Sequence, residues 1–331
     1  MSGGVDSSVA AYLMKQRGFD CIGVTMKLFA NEDIGISREH SCCSLDDVED
    51  ARSVAYSLDM PYYVFNFSDR FETDVIDRFI HAYENGITPN PCIDCNRYLK
   101  FDKLYMRAKE LDRDYVVTGH YARVEKDENG RFLLKKALDD TKDQSYVLYC
   151  LTQEQLSHTI FPLGEMRKSQ AREIAESQGF INARKADSQD ICFVQNGSYA
   201  DFIEQYTGKN YPDGDFLDTD GNVIGRHKGV IRYTVGQRKG LGISAPEPLY
   251  VKAVNPVSNT VTLSYNDGLY SSVVKAGDIN LISVPEIKGE MRVKAKVRYR
   301  HAEQWATVTQ NGDTITAVFD EPQRAVTCGQ A

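Results

Sequence analysis

The chain has 331 residues, 42% of them hydrophobic, and a formal net charge of −8, so roughly two or three separate cores are expected rather than one. Apolar runs such as residues 21–24 and 62–65 fall far short of the roughly 20 needed to span a bilayer, and the opening lacks the basic start and apolar stretch of a secretory signal. The acidic balance excludes indiscriminate attraction to nucleic acid over the whole surface, the chain reads as cytoplasmic with no membrane partner, and its eight cysteines belong to a reducing compartment where they serve as metal ligands or redox catalysts more often than as staples.

The first predicted element is a phosphate cradle. Ser2, Gly3, Gly4, Val5, Asp6, Ser7 and Ser8 run straight into a segment where Val9, Ala10, Leu13 and Met14 recur at helical spacing, with Gly18 as its stop. Glycines let backbone amides approach an anion, and a helix N-terminus favours negative charge. The lysine of the Walker loop is absent. Asp6 would repel a phosphate unless a cation bridged the two, which implies Mg²⁺; capping the helix is its other role.

A strand is predicted over residues 21–28. Ser44, with Asp47 three residues on, predicts a capping box opening a helix with Leu45, Val48, Ala55 and Leu58 inward, ended by Pro61. Residues 62–67 read as a strand, Phe71, Val75, Ile76, Phe79 and Tyr83 as one helix face, and residues 115–118 as a short buried strand. This alternation predicts an α/β doubly wound parallel sheet, with ligands beyond the carboxyl ends of the strands, around Ser2, Met26 and Gly119. His120 stands where it meets either adenine or phosphate, or is satisfied locally. Cys42 and Cys43 read as small thiols near a helix start, and Cys21, Cys150 and Cys328 as packing residues.

Residues 88–96 form a stiff proline loop leading into a helix that carries Leu99, Leu104, Ala108 and Leu111. Cys95 is thereby placed near a helix N-terminus with Arg97 and Lys100 close by, which predicts a reactive thiolate. Cys192, in a polar turn running into an apolar pair, is the second candidate.

Beyond residue 193 the texture becomes glycine-rich strand and turn, with Asp-Gly turns at 212–214, 219–221 and 266–268. The expected partition is a catalytic domain over 1–195, a small β-rich central domain over 196–252 and a C-terminal β-barrel over 253–331. Arg226, Lys228, Arg232, Arg238 and Lys239 lie in a stretch without an acid. Arg292, Lys294, Lys296, Arg298 and Arg300 alternate with Met291, Val293, Ala295, Val297 and Tyr299, one basic and one apolar face of a strand. Same-face residues stand roughly 6.6 Å apart, close to successive phosphates, so the row follows an RNA backbone or is a solvated strand face.

The opening segment resembles the signature of the ATP pyrophosphatase, or PP-loop, family, which cleaves ATP between the α and β phosphates and transfers AMP to a substrate oxygen. In that family the loop follows a central strand, whereas here the chain begins at the loop and ends where a barrel needs another strand; truncation at both ends is expected. Pro89-Asn90-Pro91 followed by Cys95-Asn96, together with residues 188–193, resembles the bacterial tRNA-specific 2-thiouridylase family. Residues 23–27, 118–123, 142–146, 233–240 and 298–300 extend the match over nearly the whole chain.

That resemblance implies adenylation of O2 of the wobble uridine of tRNA and its replacement by sulfur. It implies ATP and Mg²⁺ as cofactors, tRNA as substrate, and a sulfur-donor protein as partner. Ser2 to Ser8 with Met26 and Gly119 would hold ATP, Cys192 would carry a persulfide, and Cys95 would be its partner nucleophile. Asn90, Pro91 and Cys92 would meet the base, and Lys142, Asp143 and Gln144 with Arg298 and Tyr299 would touch the tRNA. The family often carries Asp where this chain has Cys92. Cys92, Cys95 and Cys192 supply three thiolates, so the alternative is a thiolase working through an iron–sulfur cluster on them, or a zinc site with a fourth ligand. An amidating PP-loop synthetase would need a glutaminase or amine site, of which the sequence has no signal.

Overall fold

The computed structural model describes residues 1–29, 45–187, 191–194 and 197–331. Ser44, Cys42, Cys43 and residues 188–190, on which several expectations fall, lie outside this set. The chain divides into two compact units, Met1–Ile76 with Pro91–Asn196, and Asp77–Asn90 with Gly197–Ala331. Among the described residues no helix is long and apolar enough to cross a membrane.

In the first unit α1 (Val5–Gln16) starts directly from the glycine loop, with Gly4 in extended conformation at its N-cap, and stops before Gly18 at φ +83°. Strands β1 (Gly23–Lys27) and β2 (Tyr62–Asn66) pair in parallel, Gly23 opposite Tyr62 and Lys27 opposite Asn66. A parallel pair needs a crossover, and α2 (Leu45–Ser57) lies in it. Of the expected inward face of α2, Ala55 is buried and Leu58 packs against the core, but Leu45 is 80% exposed, and Asp47, Ala51 and Val54 complete the buried side. The reason is electrostatic as well as steric, because Lys185 Nζ lies 2.5 Å from Asp47 and 2.7 Å from Asp50, which permits an acid at the inward position.

Strand β3 (Val116–Val117) is followed by the antiparallel hairpin β4 (Ala122–Lys126) and β5 (Phe132–Lys136), and pairs in parallel with β6 (Thr159–Ile160). These parallel pairs with interposed helices are the expected α/β texture. Val5, Val9, Val54, Tyr121, Leu163 and Phe180 form one core cluster beneath the glycine loop. The predicted face of Phe71, Val75, Ile76, Phe79 and Tyr83 is buried throughout, on a helix of three successive pieces, Ser68–Phe71, a π-turn at Glu72–Ile76, and Asp77–Glu84.

The second unit contains two sheets. Strands β7 (Gly214–Leu217), β8 (Val223–His227), β9 (Tyr250–Asn255) and β10 (Thr260–Ser264) form one, in the order β8–β7–β10–β9, around Phe216, Val251, Val261 and Leu263. Strands β11 (Tyr270–Ala276), β12 (Met291–Ala295), β13 (Gln304–Asn311) and β14 (Thr314–Arg324) form an antiparallel sheet in the order β11–β14–β13–β12 over Val297, Ala306 and Phe319. The expected boundary at 252/253 falls inside β9, whose ladder with β10 holds it to the first sheet; the change of sheet lies between Ser264 and Tyr270. Asp77–Asn90, inside the expected 1–195 domain, groups with the second unit: Tyr83 stacks on Tyr199 at 4.3 Å, and Glu84 accepts hydrogen bonds from Lys209 (2.7 Å) and Tyr211 (2.6 Å). Cys150 is buried as expected, Cys21 is half-buried, and Cys328 is exposed rather than packed.

Candidate active site

The loop from Ser2 to Ser8 is closed by its own side chains. The Ser2 amide donates to Ser7 Oγ (3.1 Å), and the Ser7 and Ser8 hydroxyls donate to the Gly4 carbonyl at 3.0 and 3.1 Å. Gly3 is obligatory twice over, since its φ is +70° and a Cβ there would stand 2.4 Å from the Asp47 carbonyl oxygen. Thr25 Oγ1 donates to the Met1 carbonyl at 2.6 Å, anchoring the start of the loop to β1 beside Met26. A Cβ on Gly119 would lie 2.6 Å from the Asp6 carbonyl carbon and 2.8 Å from the Ser7 nitrogen, so the turn after β3 rests directly on the first turn of α1. The loop and Gly119 are thus gathered at one place, next to the end of β1 that carries Met26.

Asp6 departs from both roles expected of it. It makes no side-chain cap of α1. Its carboxylate takes the Lys168 ammonium on both oxygens at 2.7 Å and the Tyr121 hydroxyl at 2.9 Å. Burial, then the Asp6 charge, pushes the Tyr121 phenol far up, so it stays a donor. The Asp6 charge that suggested Mg²⁺ is therefore compensated by the protein, and Asp6 as placed does not fit a metal ligand.

Lys168 also reaches Asp187 at 2.8 Å, and Asp187 takes Lys142 and Arg172 at 2.9 Å each. Burial alone would raise the Asp187 carboxyl, but hydrogen bonds from Lys168 and Lys142 and their charges hold it down at about 2. Sequence reasoning missed Lys168. Its signal was a lysine opening a helix, Lys168–Ser177, where the dipole disfavours a cation. Asn182, 3% exposed, was missed as well; its amide donates to the Gly3 carbonyl and to Ser8 Oγ at 2.9 Å. His120 is satisfied locally by the Thr118 hydroxyl at 2.7 Å and lies against Phe101 and Phe161; burial holds its imidazole well below its ordinary value.

The helix after the proline loop begins at Pro91, a residue suited to the first helical position. Cys92 is accordingly the thiol of the first turn and is exposed, whereas Cys95 lies one turn further in and is 8% exposed. The expected dipole contribution at Cys95 is therefore weakened by position. Arg97 is turned toward Tyr149, donating to its hydroxyl at 3.4 Å, and neighbours Cys150, whose thiol burial pushes up to about 11. Cys192 is half-buried; the ring of Phe193 beside it meets Phe71 edge-on at 5.7 Å, and the Ser68–Phe71 segment packs on the π-helical Cys95–Lys103. Both thiols thus belong to one unit. Among the described residues no three His, Cys, Asp or Glu are gathered to hold a metal, so Cys92, Cys95 and Cys192 do not form the set that the iron–sulfur alternative requires.

The residues expected at the tRNA make internal contacts. Lys142 holds Asp187, Asp143 accepts from the Ala137 amide (3.0 Å) and Ser145 Oγ (2.7 Å), and Gln144 Oε1 accepts from the Tyr121 amide (3.0 Å). Asn90 is half-buried and closes the 77–90 segment, and Pro91 is buried. Strand β12 ends at Ala295, so the basic alternation is a strand face only for Arg292 and Lys294, which lie 5.4 and 5.3 Å from the Trp305 ring. Beyond it, Arg298 donates to the Val235 carbonyl at 2.6 Å and to Thr327 Oγ1, and Tyr299 is exposed with Lys296 over its ring. The stretch 226–240 is less basic than it reads, because Asp215, Asp213, and Asp201 with Glu204 pair with Arg226, Lys228 and Arg232.

Three family profiles tile the chain: "tRNA methyl transferase HUP domain" over 1–196, "tRNA methyl transferase PRC-barrel domain" over 200–265 and "Aminomethyltransferase beta-barrel domain" over 271–331. The chain is 51% identical to the tRNA-specific 2-thiouridylase MnmA of Clostridioides difficile (strain 630), covering 100% of this chain and 92% of that protein. It is 51% identical to the protein of that name from Lachnoclostridium phytofermentans, covering 100% and 93%. It is 50% identical to tRNA-specific 2-thiouridylase MnmA 1 of Thermoanaerobacter sp. (strain X514), covering 100% and 92%. With the first profile taking in more than half of the sequence and these relatives aligned along all of it, the chain belongs to the tRNA-specific 2-thiouridylase MnmA family.

Proposed function

We propose that the chain is a cytoplasmic tRNA-uridine 2-sulfurtransferase that binds ATP on the Ser2–Ser8 loop, adenylates O2 of the wobble uridine and replaces that oxygen with sulfur. The observation that supports this most is the likeness to named 2-thiouridylases along the whole chain, with a glycine loop closed at the start of α1 and Gly119 resting on it. The carbonyl oxygen at C2 of uracil is a poor leaving group until adenylation turns it into AMP. Loop amides and the N-terminus of α1 favour the pyrophosphate released at that step.

In this reading Cys192 carries the persulfide, received from a sulfur-donor protein, and its terminal sulfur attacks C2 and displaces AMP. Cys95 then attacks the Cys192 sulfur, breaking the bond to the transferred atom and leaving 2-thiouridine with a Cys95–Cys192 disulfide. A thiol reductant reopens that bridge. Mg²⁺ would accompany the triphosphate as its counter-ion rather than sit on Asp6, which Lys168 already holds. Asn90, Pro91, Cys92, Arg298 and Tyr299 remain the proposed tRNA contacts.

Nucleoside mass spectrometry of tRNA incubated with ATP, Mg²⁺ and a persulfide source tests the proposal. Wild type should give 2-thiouridine, AMP and pyrophosphate, and Cys95→Ser and Cys192→Ser should give none of the thiolated nucleoside. Thiolation by Cys192→Ser at the wild-type rate would refute the persulfide role, and a wild type forming no 2-thiouridine would refute the activity.

A further inference from the structure

A phosphate-binding loop that contains a carboxylate presents a physical contradiction. The N-terminus of α1 offers about half a positive charge, which a full negative charge on Asp6 would outweigh. The structure resolves this with a residue far away in the sequence. Lys168 has a side chain only 11% exposed, and its ammonium bridges both Asp6 oxygens at 2.7 Å. Among the described residues it is the one cation at that carboxylate. Tyr121, the other partner, is a neutral donor.

The surroundings keep this lysine in place. Its backbone amide donates to Asp139 at 2.9 Å, and its ammonium lies 5.9 Å from the Tyr121 ring. Asp187 competes for the same ammonium at 2.8 Å, but Asp187 has Lys142 and Arg172 as further partners at 2.9 Å each, so its charge does not draw Lys168 off the loop.

We propose that Lys168 is a positioning residue that makes the Ser2–Ser8 loop able to accept a polyphosphate, by neutralising Asp6 through an ion pair rather than by touching the phosphates itself. The inference rests on the ATP reading of the loop and deepens it. A lysine that contacted phosphate would be missed whatever stood at position 6. A lysine that only neutralises Asp6 becomes dispensable once Asp6 carries no charge.

Binding of ATP and of uncharged adenosine to the full chain, measured by calorimetry and ligand-observed NMR, tests this with Lys168→Met, Lys168→Arg and the double variant Asp6→Asn with Lys168→Met. Lys168→Met should weaken ATP at least tenfold while changing adenosine less than twofold. The double variant should recover most of that loss, and Lys168→Arg should stay within about threefold of wild type. Equal loss of ATP and adenosine, wild-type ATP affinity in Lys168→Met, or a double variant no better than Lys168→Met would each overturn the proposal. If Lys168→Met does not fold, the double variant decides: ATP affinity near wild type supports the proposal, and loss of ATP with adenosine retained overturns it. A wild-type chain that binds no ATP would instead sink the nucleotide reading on which the proposal stands.

Discussion

Gly119→Ala isolates the contact between the turn after β3 and the proposed nucleotide loop. A methyl group there would lie 2.6 Å from the Asp6 carbonyl carbon and 2.8 Å from the Ser7 nitrogen, about 0.8 Å inside ordinary van der Waals contact. Both atoms are backbone in the first turn of α1 and cannot rotate away. Unlike Gly3, Gly119 has no left-handed backbone to confound the result. Overpacking of this kind costs roughly 1–3 kcal/mol. If the loop yields, that cost falls on the nucleotide, and ATP affinity should drop roughly 5- to 150-fold. If the turn after β3 yields instead, the cost falls on stability, and Tm should drop by roughly 2–4 °C per kcal/mol. Titration of ATP and thermal unfolding of the same variant read the two shares. Unchanged ATP affinity together with unchanged Tm would refute the claim that this turn rests on the loop.

Three further outcomes are expected. The Asp187 carboxyl is held at about 2, below its ordinary value, so it stabilises the fold above the ordinary carboxylate range, and that share is lost as pH falls through about 2; acid unfolding curves should lose on the order of 2 kcal/mol between roughly pH 4 and 2 in wild type, and flatten there in Asp187→Asn. Phe193→Ala removes a ring that is 1% exposed and should cost about 3–5 kcal/mol in denaturant unfolding, while a loss under about 1 kcal/mol would contradict its packing on Phe71. Cys150, pushed up to about 11 by burial, should resist iodoacetamide at pH 8 while exposed Cys92 and Cys328 are alkylated, as peptide mass mapping would show.

What the sequence disclosed was local. The helix from Val5, the stop at Gly18, the strands at 23–27 and 62–66 and the buried face from Phe71 to Tyr83 all rest on periods and glycines that neighbouring residues reveal. The loop and Gly119 were legible because a parallel sheet brings the carboxyl ends of its strands together. Lys168 was not, since its pairing with Asp6 joins residues 162 positions apart and depends on the folded core. The basic stretch at 226–232 misled for the same reason: its counter-charges, Asp201, Glu204, Asp213 and Asp215, lie upstream and arrive only through strand pairing and helix packing. Cys95 lies a turn further from the helix start than the proline loop suggests, because Pro91 itself begins the helix, a position to which proline is well suited.

The assignment of Asp77–Asn90 to the second unit has a practical meaning for anyone dissecting this enzyme. The polypeptide leaves the first unit in the middle of a helix and returns at Pro91, so neither unit is a contiguous stretch of chain. Cutting after residue 196 would strip Tyr199 from Tyr83 and Lys209 and Tyr211 from Glu84, leaving an apolar helical stub bare to solvent. A recombinant catalytic half should therefore aggregate unless residues 77–90 are replaced by a short polar linker, and truncation series that ignore this interleaving will report insolubility where they seek activity.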